Sequence, residues 1–105
     1  MRHFSPQQLK DHLVDHQPLL LDVREAWEYA ICQLADSQLV PMQQIPAHAE
    51  TLDPQQEIVV ICHHGIRSKA VCEYLEQQFG FERLINLEGG IDAWARQLEP
   101  TLAVY

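Results

Sequence analysis

Cys62 closes a short apolar run, Ile58-Val59-Val60-Ile61, and opens the segment Cys62-His63-His64-Gly65-Ile66-Arg67-Ser68, directly ahead of an amphipathic stretch. A strand that delivers a thiol into a tight glycine-containing loop, with a helix starting at once, suits a negatively charged atom. The backbone N–H groups of such a loop and of the first helical turn converge and carry partial positive charge. The thiolate is the form of cysteine that attacks, so nucleophilic chemistry at Cys62 is the leading expectation. An arginine at the N-terminal end of a helix runs against the helix dipole, so Arg67 calls for a local anion and is expected to bind one or to support the loop. His63 and His64 are expected to shape the pocket and to add positive charge when protonated. Cys62, His63 and His64 are consecutive and can hardly all face one ion. No further ligand stands at a usual spacing, so no metal is expected.

The elements that must position this loop follow from pattern. Ser5-Pro6 resembles an N-cap followed by proline at the first helical position, and Leu9, Leu13 and Val14 extend a helix to about residue 16. Residues 19–23 form an apolar run broken only by Asp22, the mark of a strand buried on both faces. A short helix over 25–31 is expected to turn Trp27, Ala30 and Ile31 inward. A brief strand over 39–41 and a weak helix over 45–52 come next. Residues 57–62 form the clearest strand and 67–78 the clearest helix, with Ala70, Val71, Tyr74, Leu75, Gln78 and Phe79 as its buried stripe and Gly80 as its C-cap. Residues 83–87 are the last strand, Gly89-Gly90 a turn, and 91–98 the last helix.

Short apolar strands alternating with helices predict an α/β fold, a small parallel sheet of about four to five strands covered by helices on both faces. Such folds bind ligands beyond the carboxyl ends of their strands. Asp22 to Arg24, Cys62 to Arg67 and Glu88 to Gly90 all lie just past strand ends, so one site is expected at that edge.

With 105 residues, the chain has room for a single domain spanning 1–105. The composition, 47% hydrophobic and 21% charged, is that of an ordinary globular protein. Fifteen acids against seven Lys and Arg give a formal charge of −8, which argues against nucleic-acid or anionic-membrane partners. No apolar run is long enough to span a bilayer and no leader-like segment opens the sequence. Cys32, Cys62 and Cys72 form an odd set without a C-x-x-C pair, so a disulfide framework is not expected and a reducing cytoplasm is the natural location. Cys72 is expected to be structural, as are Trp27 and Trp94; for Cys32 a structural role is favoured over that of a second, resolving thiol.

Three segments are similar to those of single-domain rhodaneses, the sulfurtransferase family: Leu20-Leu21-Asp22-Val23-Arg24-Glu25 with Glu28-Tyr29, the Cys62 loop with Arg67-Ser68, and Asn86-Leu87-Glu88-Gly89-Gly90-Ile91-Asp92-Ala93-Trp94. The resemblance covers residues 19–97 and implies a rhodanese fold. It implies that Cys62 takes a sulfane sulfur from a small sulfur-containing anion such as thiosulfate, or from a persulfide donor. The sulfur then passes to a thiol or protein acceptor, or to cyanide in the test tube. It further implies that His63, His64, Gly65, Ile66, Arg67 and Ser68 form the cradle of that sulfur, that Asp22 and Arg24 brace the active edge, and that no cofactor is needed. The segment Cys32-Gln33-Leu34-Ala35-Asp36-Ser37 stands where the family usually has Gly-His-Ile-Pro-Gly-Ala, so a different backbone is expected there.

Two rivals are weighed against this. Phosphatases and arsenate reductases of related fold have five residues between Cys and Arg, enough to wrap a tetrahedral oxyanion, whereas only four separate Cys62 from Arg67. A persulfide relay or a non-catalytic regulatory domain is the other; the presence of Cys62 favours a sulfur-carrying role.

Overall fold

Two strands of four buried residues each, Ile58–Ile61 and Leu84–Leu87, lie side by side in the middle of the sheet. The computed structural model describes residues 1–105. In chain order the elements are β1 (Arg2–Phe4), α1 (Pro6–His12), β2 (Leu19–Asp22), α2 (Ala26–Ile31), β3 (Gln38–Leu39), a 3-10 turn (Met42–Gln44), α3 (Ile45–Ala49), β4 (Ile58–Ile61), α4 (Ile66–Phe79), β5 (Leu84–Leu87) and α5 (Gly90–Leu98). The five strands run parallel in the order β1-β5-β4-β2-β3. The expected α/β architecture is therefore present. No helix is long and apolar enough to cross a membrane.

Strand alternation divides the interior into two layers. Ile58, Val60 and Cys62 face Val71, Cys72 and Leu75 of α4 and Ile45 and Ala49 of α3. Val59 and Ile61 face Leu9 of α1 and Ile91 and Trp94 of α5. The chain leaves β2 toward β3 on one side and β4 toward β5 on the other, so the direction of winding reverses between β2 and β4. A crevice opens at such a switch point, beyond the carboxyl ends of the strands. Asp22 and Cys62 both lie there.

Several local expectations need correction. The strand β1 was not foreseen, because a three-residue edge strand with two exposed residues leaves no apolar run to read. Helix α1 ends at His12, four residues early, and Val14 is 84% exposed. The inward face of α2 was misassigned. Trp27 is 62% and Ile31 40% exposed, Ala30 is exposed too, and the buried position belongs to Glu28. A hydrophobicity pattern cannot anticipate this, since Glu28 is buried by its charged partners rather than by water's rejection of it. In α4, Ser68, Val71, Cys72 and Leu75 are buried, while Ala70 and Gln78 face solvent. The helix α3 and strand β3 are shorter than expected.

The segment that departs from the family pattern keeps one conformation a glycine would supply. Asp36, standing where the family usually has glycine, has φ +65°, the only non-glycine residue in the left-handed region. Aspartate tolerates that region better than most residues. Ser37 closes the turn, its hydroxyl donating to the Leu34 carbonyl at 2.7 Å, and the Tyr29 hydroxyl donates to the Ser37 carbonyl at 2.8 Å.

Candidate active site

Two backbone N–H groups point at the sulfur of Cys62. Gly65 N donates to Sγ at 3.1 Å and Ser68 N at 3.3 Å, while the thiol itself donates to Ser68 Oγ at 3.3 Å. Gly65 makes this turn at φ +91°, the left-handed N-cap of α4. The carbonyls of the loop are held on the outside. Ile91 N donates to Cys62 O at 2.8 Å and Asp92 N to His63 O at 3.1 Å. The first turn of α5 thus takes up the carbonyl groups and leaves the N–H groups directed inward. Gly90 makes this close approach possible, since a Cβ there would lie 2.4 Å from both Cys62 O and His63 O.

Ser68 is fixed in turn by Asn86 of β5. Its hydroxyl donates to Asn86 Oδ1, and Asn86 Nδ2 donates to Gly65 O at 3.4 Å. One buried amide therefore ties Gly65 to Ser68, the two residues whose N–H groups meet the sulfur.

A chain of charge lies alongside. Arg67 donates to both carboxylate oxygens of Glu28, at 2.7 and 2.8 Å. The guanidinium holds the Glu28 carboxyl down to about 2, against the opposing effect of burial, with further help from the Glu25 backbone N–H and the Tyr105 hydroxyl. The reciprocal contact raises Arg67. Beneath this pair Arg24 is fully buried. Its guanidinium donates to Asp22 at 2.7–3.1 Å, to the carbonyls of Glu28 and Cys32 at 3.2 and 2.7 Å, and to the Tyr105 hydroxyl at 2.9 Å. Burial opposes the charge of Arg24, yet its hydrogen bonds to Asp22 and Tyr105 outweigh that and make it a still weaker acid. Such donor saturation is what a buried arginine requires.

A family model, the rhodanese-like domain, matches residues 5–97. The chain belongs to the rhodanese-like family. It is 39% identical over 101 residues to a putative sulfurtransferase, YtwF, of Bacillus subtilis, a match covering 95% of this chain and 96% of that one. A sulfurtransferase of Allochromatium vinosum is 38% identical over 104 residues, covering 98% and 96%. Among solved structures, a rhodanese-like domain protein from Staphylococcus aureus superposes with a TM-score of 0.82 at 29% identity, over 100% of this chain and 99% of that one.

The rhodanese loop gathers some of the expected residues and disperses others. Cys62, Gly65 and Ser68 converge on one point. Arg67 turns to Glu28, so the anion its position calls for is supplied by the protein itself. His64 is well exposed at 58%, and Ile66 at 78% projects into solvent. His63 is half-buried between two rings, His64 at 3.9 Å and Tyr105 at 3.8 Å; burial, and then the neighbouring His64, push its pKa down. Asp22 and Arg24 form the buried pair beneath. Cys32 and Cys72 are buried, Cys32 in the layer opposite Cys62 and Cys72 in the same layer, where burial lifts its thiol to about 12. Two contributors escaped the sequence reading. Asn86 could have been found as the one polar residue in an apolar strand. Tyr105 follows the last helix in a segment with no periodicity, and nothing in the sequence signals its place.

Proposed function

We propose that this rhodanese is a sulfurtransferase in which Cys62 carries a sulfane sulfur as a persulfide. The observation that carries the reading is the convergence of Gly65 N–H and Ser68 N–H on Cys62 Sγ. In the first step the Cys62 thiolate attacks the outer sulfur of a donor such as thiosulfate. The new S–S bond forms as the old one breaks, and sulfite leaves with the electron pair. In the second step a thiophilic acceptor, a thiol, a protein thiol or cyanide, attacks the terminal sulfur and the Cys62 thiolate departs. No net oxidation of the protein occurs. Inward N–H groups stabilise negative charge on sulfur at both stages.

The loop is small, with four residues between Cys62 and Arg67, which suits a single sulfur better than a phosphate. Beside it lies an open groove of about 470 Å³ whose walls include His3, His64 and Lys69. Lys69 supplies a positive charge at short range there, with the Glu88 carboxylate on the same groove, although the whole chain carries −8. Three free cysteines, all buried, fit a reducing compartment such as the cytoplasm.

The test is intact mass spectrometry after incubation with thiosulfate. A gain of one sulfur atom, mapped to the Cys62 peptide and lost on adding cyanide, is the expected result. A chain that never gains sulfur from thiosulfate or from glutathione persulfide would instead be a binding domain that keeps the loop without the reaction.

A further inference from the structure

The segment after α5 returns to the Cys62 edge of the sheet and places one side chain across it. The ring of Tyr105 lies parallel to that of His63, with centroids 3.8 Å apart and planes 7° apart. Trp27 packs against it edge-to-face, with ring centroids 5.9 Å apart and planes 70° apart. Its hydroxyl accepts from Arg24 at 2.9 Å and donates to Glu28 Oε2 at 2.8 Å. The Tyr105 side chain therefore reaches from the first residue after Cys62 to the carboxylate that grips Arg67, the last residue before Ser68. Cys62 itself is only 1% exposed.

We propose that Tyr105 is a specificity-determining residue, a gate that admits compact sulfur donors to Cys62 and holds back large ones. The proposal rests on the sulfurtransferase reading for its substrates, but its geometry stands apart from that reading. Stacking on His63 holds the face of the ring, and the two hydroxyl bonds fix its tilt. Arg24 is immobile, being saturated and buried, so the hydroxyl is anchored to a rigid base. A donor the size of thiosulfate needs little more room than its outer sulfur. A peptidic persulfide such as glutathione persulfide brings a bulky chain as well, and on this proposal the ring stacked on His63 takes the room that chain needs. The ring, rather than the hydroxyl, excludes; the hydroxyl only holds it.

The experiment compares kcat/KM for thiosulfate and for glutathione persulfide, with cyanide as common acceptor, in the unaltered chain, Tyr105→Ala and Tyr105→Phe. Removing the ring should raise the ratio of glutathione persulfide to thiosulfate use by about tenfold or more, while phenylalanine should keep the ratio within about threefold of the unaltered chain. Tyr105→Leu carries the same comparison should the alanine variant lose its fold. A role in stability alone would depress both donors together and leave the ratio unmoved, and that result overturns the gate. A second readout needs no turnover. Peptide mapping follows alkylation of Cys62 by iodoacetamide and by a bulky fluorescent maleimide. Tyr105→Ala should speed the bulky reagent about tenfold more than the small one. If sulfur loading fails but this difference holds, the sulfurtransferase reading falls and the gate survives. If loading succeeds and both reagents respond alike, the gate falls alone.

Discussion

Arg67 and Glu28, 39 positions apart in sequence, meet as a two-pronged ion pair at 2.7 and 2.8 Å. The pair joins the helix that follows the Cys62 loop to the helix that follows β2, across the switch point between β2 and β4. The carboxylate side is 5% exposed and the guanidinium side 35%, so the contact is only partly screened by water. An anionic donor thus meets a positive charge that is already matched.

This pairing sets an expectation for donor dependence. Arg67→Ala should lower kcat/KM for the thiosulfate dianion and for a singly charged alkyl persulfide by similar factors, about tenfold, because it loosens the loop that both must use. Steady-state kinetics with the two donors decides the matter. A loss confined to thiosulfate would place the guanidinium on the donor instead.

The acid limb of stability is the second expectation. The folded Glu28 carboxyl titrates near 2, below its ordinary value of 4.5. Its contribution is fully present above about 4.5 and is lost as pH falls from there toward 2. Glu28→Gln keeps a side-chain acceptor for the Glu25 backbone N–H but removes the charge. It should cost about 1–3 kcal/mol at pH 7 and flatten the fall in stability across that window. Denaturant titrations at several pH values measure both; parallel curves for variant and parent would rule out Glu28 as the source.

Cysteine replacement separates carrier from core. Cys62→Ser should abolish sulfur loading with the fold retained, since a hydroxyl cannot hold a sulfane sulfur in this way. Cys32→Ser and Cys72→Ser should load sulfur on Cys62 as before, though burying a hydroxyl in place of each thiol costs about 1–3 kcal/mol. Loading that persists in the Cys62 variant would move the reaction elsewhere.

Loop size gives a fourth expectation. Gly65 N and Ser68 N close on the sulfur at 3.1 and 3.3 Å, and a loop with four residues between Cys62 and Arg67 is a tight fit for a tetrahedral group. Hydrolysis of an aryl phosphate should be negligible beside sulfur transfer, and vanadate should inhibit poorly. Efficient phosphate-ester turnover would contradict this.

The two glycines at opposite ends of α4 and α5 offer a controlled comparison. Gly90→Ala combines φ +62° with backbone oxygens at 2.4 Å, whereas a Cβ on Gly80, at φ +69°, meets nothing within 4 Å. Gly90→Ala should lose at least about 2 kcal/mol, roughly 10 °C in Tm, and most activity. Gly80→Ala should lose about 1 kcal/mol and keep its activity. Thermal melts and sulfur loading on both variants provide the check.

The parallel sheet and the Cys62 loop were legible because their signals are local and repetitive. Ile58 to Ile61 is an unbroken apolar strand, and the loop residues sit next to one another. What escaped is held by partners distant in sequence. Glu28 is buried because Arg67 and Tyr105 reach it, so hydropathy placed Trp27 and Ile31 inside in its stead. Asp36 holds a φ of +65°, a left-handed conformation that its residue type alone does not announce. The strand Arg2–Phe4 exists only through its pairing with β5, and no three-residue window announces that.

That same pairing joins Arg2 to Ile85, His3 to Asn86 and Phe4 to Leu87. Loop closure over so many residues is entropically slow, and it cannot be rewarded until β5 is in place. Asn86, on that strand, is also the residue that fixes Ser68 against the sulfur. During synthesis on a ribosome, therefore, Cys62 emerges well before the amide of Asn86 that helps to set it. The nascent chain exposes the thiol for that interval, and the loop reaches its full geometry only once β5 and the first turn of α5 have both followed.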